Sequence, residues 1–281
     1  MERHQATKGN EVERTLVVIP TYNERDNLAT VVARVRRSVP GIGILVVDDG
    51  SPDGTGDIAD ALAAADDRIH VLHRRSKEGL GAAYRAGMRF ALDAGYEAVV
   101  EMDADGSHRP EELGTLLAAL RRPSSPDGAD LVLGSRWVPG GGTVNWPLRR
   151  RMLSRGGSAY ARIALGVPAR DITGGYRAFT AEALRRIRIE EVQSQGYCFQ
   201  IDMARRAFDE GLRIVEVPIT FVERELGASK MTGGIVLEAM ARVTRWGIER
   251  RTGVRGTSTR PLRESVAQPV AALHARERAL A

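Results

Sequence analysis

The chain has 281 residues, of which 43% are hydrophobic, enough for one large α/β domain with a substantial core or for two small domains. Its only cysteine, Cys198, excludes an internal disulfide and is expected to be a small core residue. The net charge is +5 and almost all basic residues are arginine, since only Lys8, Lys77 and Lys230 are lysines. An excess of arginine suits the binding of phosphate groups. Composition alone does not tell whether the partner is nucleic acid, an anionic membrane or a phosphorylated substrate.

The N-terminal segment, residues 1–13, lacks the apolar centre of a secretory signal, and we expect it to be flexible. No run of about 18 apolar residues predicts a membrane-spanning helix. The sequence therefore predicts a cytoplasmic protein.

The first half of the chain alternates short β-branched runs with helical patterns. Apolar residues recur with helical spacing between the runs, as in Leu28, Val31, Val32 and Val35. The runs themselves predict buried strands over 15–19, 44–47, 69–72 and 98–102. Strand and helix in alternation predict an α/β fold, a mostly parallel sheet flanked by helices, with ligands at the carboxyl ends of the strands.

The second half is less regular. We predict strands over 131–133 and 214–217, a mobile loop over 140–145 and a helix over 235–250. In this interpretation a catalytic domain covers 14–233, and an amphipathic helix that could contact a membrane surface covers 234–250. A basic, disordered tail covers 251–281.

Acidic side chains follow the predicted strands where each one ends. The first strand leads into PTYNE, the second into DDGSPDGT, the fourth into DADGSH and the fifth into GSR. Carboxylates therefore gather at one edge of the sheet, beside Tyr22, whose ring could stack on a planar base.

Asp103 and Asp105 give the strongest chemical signal. Two carboxylates on one turn are what Mg²⁺ or Mn²⁺ accepts while the ion also holds substrate phosphates. The alternative is a surface turn in which an aspartate caps the next helix, and the motif alone favours neither.

Other polar residues admit two interpretations. Asp49 suits hydrogen bonds from a ribose or base and Glu24 could do the same, whereas Asp53 and Gly54 are ordinary turn residues. His108 is expected to be structural. Six polar residues in apolar surroundings either shape an acceptor site or satisfy hydrogen bonds: Asp171, Thr173, Tyr176, Arg177, Gln200 and Asp202. The first strand lacks GxGxxG, which argues against a dehydrogenase.

Basic residues concentrate after the fifth strand. Arginine forks hold phosphate in a bidentate manner, and Lys230 would add a point charge. Arg224 and Lys230 flank Gly227 and Ser229, which predicts a flexible loop that closes over an anion. For Arg149 and Arg151 a solvated helix face is the better interpretation.

The ordered set of these segments resembles a known family. It comprises PTYNE, VVDDGSPDGT, KEGLGAAYRAG, MDADGSHRPE, GSR, WPLRRRMLS, DITGGYRAF, GYCFQIDM and VPITFVERELGASK. In this order they resemble the polyprenol (dolichol) phosphate mannosyltransferases of glycosyltransferase family 2, over residues 16–232.

The resemblance implies the glycosyltransferase A fold, GDP-mannose as donor, a polyprenyl phosphate as acceptor, and Mg²⁺ or Mn²⁺ as cofactor. It implies metal binding by Asp103, Asp105 and Ser107, and acceptor-phosphate binding by Arg136, Arg150 and Ser154. Catalytic roles fall to Asp105, Arg224 and Lys230. The donor would contact Pro20, Tyr22, Glu24, Val47, Asp49, Asp103, Ala104, Asp105, Arg224 and Lys230.

The implied reaction inverts the sugar and gives a β-linked lipid phosphate mannose. We expect the protein to associate peripherally with the inner face of the cytoplasmic membrane, through its own helix or tail or through a separate integral membrane protein. One alternative is transfer from UDP-glucose or another UDP-sugar to the same lipid. Another is a non-catalytic basic module that binds membranes or nucleic acid, although aromatic residues make up only 5% of the chain. We expect no nucleic-acid partner.

Overall fold

The computed structural model describes residues 11–122, 125–194, 196–223 and 233–252. Its strands are β1 Thr15–Thr21, β2 Gly43–Asp48, β3 Ile69–His73, β4 Ala98–Glu101, β5 Leu131–Ser135, β6 Gly142–Val144, β7 Arg177–Thr180, β8 Ile214–Pro218 and β9 Thr220–Val222. Its α-helices are α1 Leu28–Ser38, α2 Thr55–Ala65, α3 Leu80–Asp93, α4 Leu113–Ala119, α5 Leu148–Leu165, α6 Ala181–Ile187, α7 Tyr197–Asp209 and α8 Gly233–Thr252.

The main sheet has the strand order β3-β2-β1-β4-β7-β5-β8. Its strands pair in parallel except β7, which runs antiparallel to both of its neighbours, β4 and β5. The parallel strands β1, β2 and β4 therefore end at one edge, where the predicted acidic turns begin. A separate ladder joins β6 to β9.

Side-chain alternation along the strands divides the core between the two faces of the sheet. Leu16 and Val18 of β1 point to the face covered by α3, α5, α6 and α7. Val17 and Ile19 point to the other face, covered by α1 and α4. Strands buried on both faces are nearly continuously apolar, which is why the short β-branched runs predicted them well.

The strand predictions are confirmed for β1–β5 and β8, whose ends agree with the predicted ranges to within two residues. The prediction of a mobile loop over 140–145 is wrong. Within this range Gly142–Val144 pairs in parallel with Thr220–Val222. A three-residue strand preceded by two glycines gains its order from a distant partner, so local sequence does not reveal it.

The predicted helix over 235–250 is present as α8, which packs against α5 and α7. Val243 is buried, and a Cβ on Gly247 would lie 2.7 Å from the carbonyl oxygen of Ala164 in α5. Within the described residues, no helix combines the length and apolar character needed to cross a bilayer. Residues 1–10 and 253–281 lie outside the described part of the chain, so the expectations for the N-terminal segment and the tail stay predictions.

Candidate active site

Three of the residues predicted to bind the donor lie at the end of β1 and in the turn that follows it. Pro20 lies within β1, and Tyr22 and Glu24 are half-buried just beyond it. The main-chain N–H of Glu24 donates to Oγ1 of Thr55 at 3.0 Å, which joins this turn to the start of α2. The ammonium of Lys77 lies 3.9 Å from the centre of the Tyr22 ring, so that ring already attracts a cation.

Asp48 organises the turn after β2. Its carboxylate accepts hydrogen bonds from Oγ1 of Thr21 at 2.9 Å and from the main chain and hydroxyl of Ser51, at 3.0 and 2.6 Å. Asp53 accepts from the main chain of Thr55 at 3.0 Å, and Gly54 has φ of 89°, which glycine adopts without strain. The turn interpretation of Asp53 and Gly54 is confirmed.

Asp49 is only 5% exposed, and its Oδ1 accepts a 2.6 Å hydrogen bond from Arg74. Burial raises the pKa of the Asp49 carboxyl, and Arg74 opposes that rise. The carboxylate is therefore anchored at one oxygen beside the Tyr22 turn. The side chain of Val47, another predicted donor contact, is wholly buried in the core, so only its main chain is available to a nucleotide.

The turn after β4 holds Asp103, Ala104, Asp105 and Ser107. Oδ1 of Asp103 accepts a 2.8 Å hydrogen bond from the Tyr84 hydroxyl, and Oδ1 of Asp105 accepts from the main chain of Ser107 at 3.1 Å. Ser107 is 1% exposed, and its hydroxyl has no hydrogen-bond partner among the described residues. A buried hydroxyl without a partner is costly, so this atom fits a ligand that the protein does not supply.

His108 supports this turn from behind. Its Nδ1 accepts a 3.0 Å hydrogen bond from the main-chain N–H of Asp103, and its ring stacks on Tyr176 with centroids 5.0 Å apart. Burial lowers the pKa of His108, which keeps the imidazole neutral and able to accept. The structural role expected from the sequence is therefore confirmed.

A second polar layer lies beneath Asp103, formed by Arg177, whose role the sequence left open, and by Glu101, which no motif indicated. Glu101 and Arg177 are both completely buried. Burial raises the pKa of Glu101 to about 8, against the attraction of Arg177. The guanidinium of Arg177 donates to the carbonyl oxygens of Gly174, Gln200 and Ile172, each at 2.7 Å. Arg177 thus joins the 172–174 loop to the start of α7 at the floor of the site.

Arg136, predicted to hold the acceptor phosphate, is 7% exposed and clamped by the fully buried Asp171. Its main-chain N and its Nε donate to Oδ2 of Asp171 at 2.9 and 2.7 Å, and Nη2 donates to Oδ1 at 2.6 Å. Asp171, left open by the sequence, therefore orients Arg136.

Arg150 and Ser154, the other predicted acceptor residues, lie one turn apart on α5. Arg150 forms an ion pair with Glu223, and its guanidinium carbon lies 4.2 Å from the centre of the Trp146 ring. Arg149 and Arg151 are exposed, as expected.

Phe221 connects the acidic turn to the basic cluster. Its ring meets His108 edge to face at 5.5 Å and Trp146 at 5.1 Å. The guanidinium carbon of Arg136 lies 5.4 Å from its centre. The predicted metal-binding and acceptor-binding groups are thus neighbours across one aromatic ring, although nothing in the local sequence of Phe221 indicates this.

Arg224 and Lys230 lie outside the described residues, so their donor-binding roles stay predictions. The chain that leads to them starts inside the site, because the main-chain N–H of Val222 donates to the carbonyl oxygen of Ser107 at 3.1 Å.

The fold is similar to that of solved sugar transferases. Glucosyl-3-phosphoglycerate synthase from Mycobacterium tuberculosis, in complex with Mn²⁺, UDP and glucosyl-3-phosphoglycerate, has a TM-score of 0.58 at 22% identity, with 91% of this chain and 85% of that chain covered. A structure described as a mycobacterial protein has a TM-score of 0.61 at 24% identity, with 90% and 78% covered. The sheet and its flanking helices have the glycosyltransferase A fold, and the match of more than half of the chain to a sugar-transferase family model defines the class as a glycosyltransferase.

Residues 16–188 match the family model described as glycosyl transferase family 2. The chain is 58% identical over 240 residues to polyprenol monophosphomannose synthase from Mycolicibacterium smegmatis, with 85% of this chain and 89% of the relative covered. It is 58% identical over 238 residues to undecaprenyl-phosphate mannosyltransferase from Micrococcus luteus, with 85% and 96% covered. The chain therefore belongs to glycosyltransferase family 2 and is an enzyme of the polyprenol phosphate mannosyltransferase type.

Proposed function

We propose that the enzyme transfers mannose from GDP-mannose to a polyprenyl phosphate and gives a β-linked polyprenyl phosphate mannose. The observation that carries the proposal is the contact of an acidic turn with a buried arginine cluster through Phe221. The acidic turn suits a metal-bound diphosphate, and the arginines on the other side of Phe221 suit a second phosphate. The relatives named for mannose transfer to polyprenyl phosphates support the same pair of substrates.

The donor diphosphate would lie at the turn after β4. Among the described residues, no group of three or more carboxylate, imidazole or thiol side chains is arranged to hold a metal by itself. Asp103, Asp105 and the unpartnered hydroxyl of Ser107 nevertheless form an all-oxygen set, which suits Mg²⁺ or Mn²⁺ when substrate phosphates complete the shell. When bound, the ion would neutralise the charge on the departing diphosphate.

The acceptor phosphate would lie at Arg136, Arg150 and Ser154. With Arg136 already oriented by Asp171, little ordering remains to be done when a phosphate binds. Arg150 would exchange its contact with Glu223 for the phosphate. Because a phosphate monoester has a second pKa of about 6, the nucleophile is already an anion near neutral pH and needs no strong base.

With the acceptor phosphate at the arginines and the donor diphosphate at the acidic turn, the reaction would invert the configuration of the anomeric carbon. A lipid phosphate oxygen attacks the anomeric carbon from the face opposite the GDP, the new C–O bond forms as the bond to the diphosphate breaks, and the electron pair leaves with GDP. Arg224 and Lys230 are proposed to close over the departing diphosphate and stabilise its charge.

Helix α5 offers a surface for the lipid. Leu148, Met152 and Leu153 are 69%, 66% and 47% exposed, and they lie in the same part of the helix as Arg150 and Ser154, with Leu153 three residues after Arg150. Apolar side chains next to a phosphate-binding arginine suit the headgroup region of a membrane that carries the acceptor. We propose that the enzyme associates peripherally with the cytoplasmic face of the membrane through α5, alone or beside a membrane protein.

Transfer from a UDP-sugar to the same lipid is the competing function, because the aspartates and arginines serve any nucleotide sugar. The test incubates the purified chain with undecaprenyl phosphate and radiolabelled GDP-mannose or UDP-glucose, with Mg²⁺, Mn²⁺ or a chelator. We expect labelled lipid from GDP-mannose only, and none with the chelator. If only glucose were transferred, the donor would be UDP-glucose and not GDP-mannose. Full activity in the presence of the chelator would contradict a role for the metal ion.

Membrane association is tested by flotation with vesicles that contain anionic lipid. We expect the double variant Met152→Ser, Leu153→Ser to float less than the wild type. The control is Ile163→Ser, which removes a side chain that is 69% exposed near the other end of the same helix. Equal loss in the variant and the control would contradict a specific role for the Arg150 end of α5.

A further inference from the structure

Because residue 175 is glycine, there is room beside Asp103 for one small group. A Cβ built on Gly175 would lie 3.5 Å from Cε1 of His108, 3.8 Å from Nε2 of Gln200 and 3.9 Å from Oδ2 of Asp103. Gly175 is half-buried, whereas His108 and Gln200 are buried. The space is therefore a niche with polar walls at the predicted donor site.

The side-chain amide of Gln200 lines this niche, and the fold does not fully use its hydrogen-bonding groups. Gln200 is 4% exposed, and neither its Nε2 nor its Oε1 makes a hydrogen bond within the described residues. The amide does face the Glu101 carboxyl, and as a weak hydrogen-bond donor to it Gln200 lowers the pKa of Glu101, against the larger effect of burial. A buried primary amide whose one polar neighbour pairs with it only weakly keeps unused hydrogen-bonding capacity, which a bound polar group could satisfy.

The niche is held rigidly. Arg177 donates to the carbonyl oxygens of Gly174 and Gln200, each at 2.7 Å. One guanidinium therefore fixes the residue before Gly175 and the start of α7, from which the Gln200 side chain projects. Groups fixed in this way recognise a ligand without paying for loop ordering.

We propose that Gln200 and the space at Gly175 form a subsite for a hydroxyl group of the donor sugar. This inference rests on the proposed function, since it needs a nucleotide sugar whose diphosphate lies at Asp103 and Asp105. A primary amide offers one donor group and one acceptor, and a sugar hydroxyl donates and accepts in the same way. Oδ2 of Asp103, which lies 3.9 Å from the same Cβ position, would give the hydroxyl a second acceptor. Gln200 is thus a sugar-recognition residue, one layer deeper than the turn that holds the diphosphate.

Two variants test the subsite. Gln200→Leu keeps the volume but removes the amide, and Gly175→Ala fills the niche with a methyl group at ordinary contact distances. Controls are Gln193→Leu at an exposed glutamine and Gly114→Ala, where an added Cβ meets nothing within 4 Å. Affinities for GDP and for GDP-mannose are measured by calorimetry with Mg²⁺, and kcat/KM is measured with GDP-mannose and its 2-, 3-, 4- and 6-deoxy analogues.

We expect both site variants to bind GDP as the wild type does and to lose about threefold to tenfold in affinity for GDP-mannose, the value of one or two hydrogen bonds. One deoxy analogue should be poor for the wild type but no worse than GDP-mannose for Gln200→Leu. Both controls should resemble the wild type in every measurement.

The inference is overturned if Gln200→Leu weakens GDP and GDP-mannose equally, or if it discriminates against every deoxy analogue as the wild type does. Either result would give Gln200 a purely structural role. The proposed function is judged separately, on whether the wild type transfers sugar at all. If UDP-glucose proves to be the donor, the same series is run with UDP and deoxyglucose analogues, and the criteria do not change.

Discussion

The hydroxyl of Tyr84 donates a 2.8 Å hydrogen bond to Oδ1 of Asp103. Tyr84 projects from α3 and is completely buried against Phe199, with the two rings stacked at 6.2 Å. The tyrosine therefore fixes the carboxylate that we propose as a metal ligand. Outer partners of this kind orient the groups that bind a metal.

Replacing Tyr84 by Phe keeps the stacking and removes only the hydroxyl. We expect the Mn²⁺ concentration that gives half-maximal transfer to rise about threefold to tenfold, the equivalent of one hydrogen bond, with kcat nearly restored at saturating metal. The control is Tyr96→Phe, which removes a hydroxyl 3.2 Å from Nε2 of His70. This pair lies at the amino ends of β3 and β4, away from the acidic turn. An unchanged metal dependence in Tyr84→Phe would show that the hydroxyl only stabilises the fold.

The buried pair of Arg136 and Asp171 predicts a large effect on stability. Asp171→Asn keeps the shape of the side chain but leaves the Arg136 cation buried without a counter-charge, which costs on the order of 3 kcal/mol or more. Urea unfolding measures this loss. Glu13→Gln is the control, because it breaks the exposed ion pair with Arg68 and should cost less than about 1 kcal/mol. Equal costs in the two variants would contradict the view that Asp171 clamps a buried cation.

Glu101 predicts how the stability of the metal-free chain depends on pH. Burial raises its pKa from 4.5 to about 8, so between these values the folded chain binds a proton that the unfolded chain has released. Its contribution to stability is therefore fully present below pH 4.5 and is lost as pH rises toward 8, by at most about 1.4 kcal/mol per pH unit.

The measurement compares urea unfolding of the wild type and of Glu101→Gln in EDTA from pH 5 to pH 8. The variant cannot titrate, so its stability should fall less steeply over this range. Parallel profiles would mean that Glu101 is ionised in the folded chain throughout.

The acidic turn could be predicted from the sequence because its parts are contiguous. DADGSH follows a short apolar strand, and both the strand and the placement of Asp103 and Asp105 beyond its end are local properties. The strands β1 and β2 were predictable for the same reason, since strands buried on both faces are apolar along their whole length.

The rest of the site depends on contacts between distant segments. Gln200 and Arg177 are far from Asp103 in the chain, and only the pairing of β4 with β7 brings Arg177 beside Glu101. Phe221 is one aromatic residue in a three-residue strand, whose order comes from its pairing with β6. The bounds of helix α5 could not be predicted because most of its large apolar residues face solvent, so no long buried stripe marks the helix.

Two helix glycines, Gly87 of α3 and Gly114 of α4, predict opposite outcomes when they are changed to alanine. A Cβ on Gly87 would lie 2.4 Å from Cγ1 of Val18 and 3.3 Å from Cγ2 of Val47, and both valines are completely buried. The helix can approach the sheet this closely only without a side chain at this position. Gly87→Ala should therefore destabilise the chain by about 1–3 kcal/mol through overpacking.

Gly114→Ala is the matched change in α4, where an added Cβ meets nothing within 4 Å. Alanine is the better helix former by up to about 1 kcal/mol, so this variant should be as stable as the wild type or more stable. Thermal unfolding of both variants decides the question. If Gly87→Ala were as stable as Gly114→Ala, helix α3 would have room to move away from β1. The close packing that supports Tyr84 and the acidic turn would then be looser than the distances to Val18 and Val47 imply.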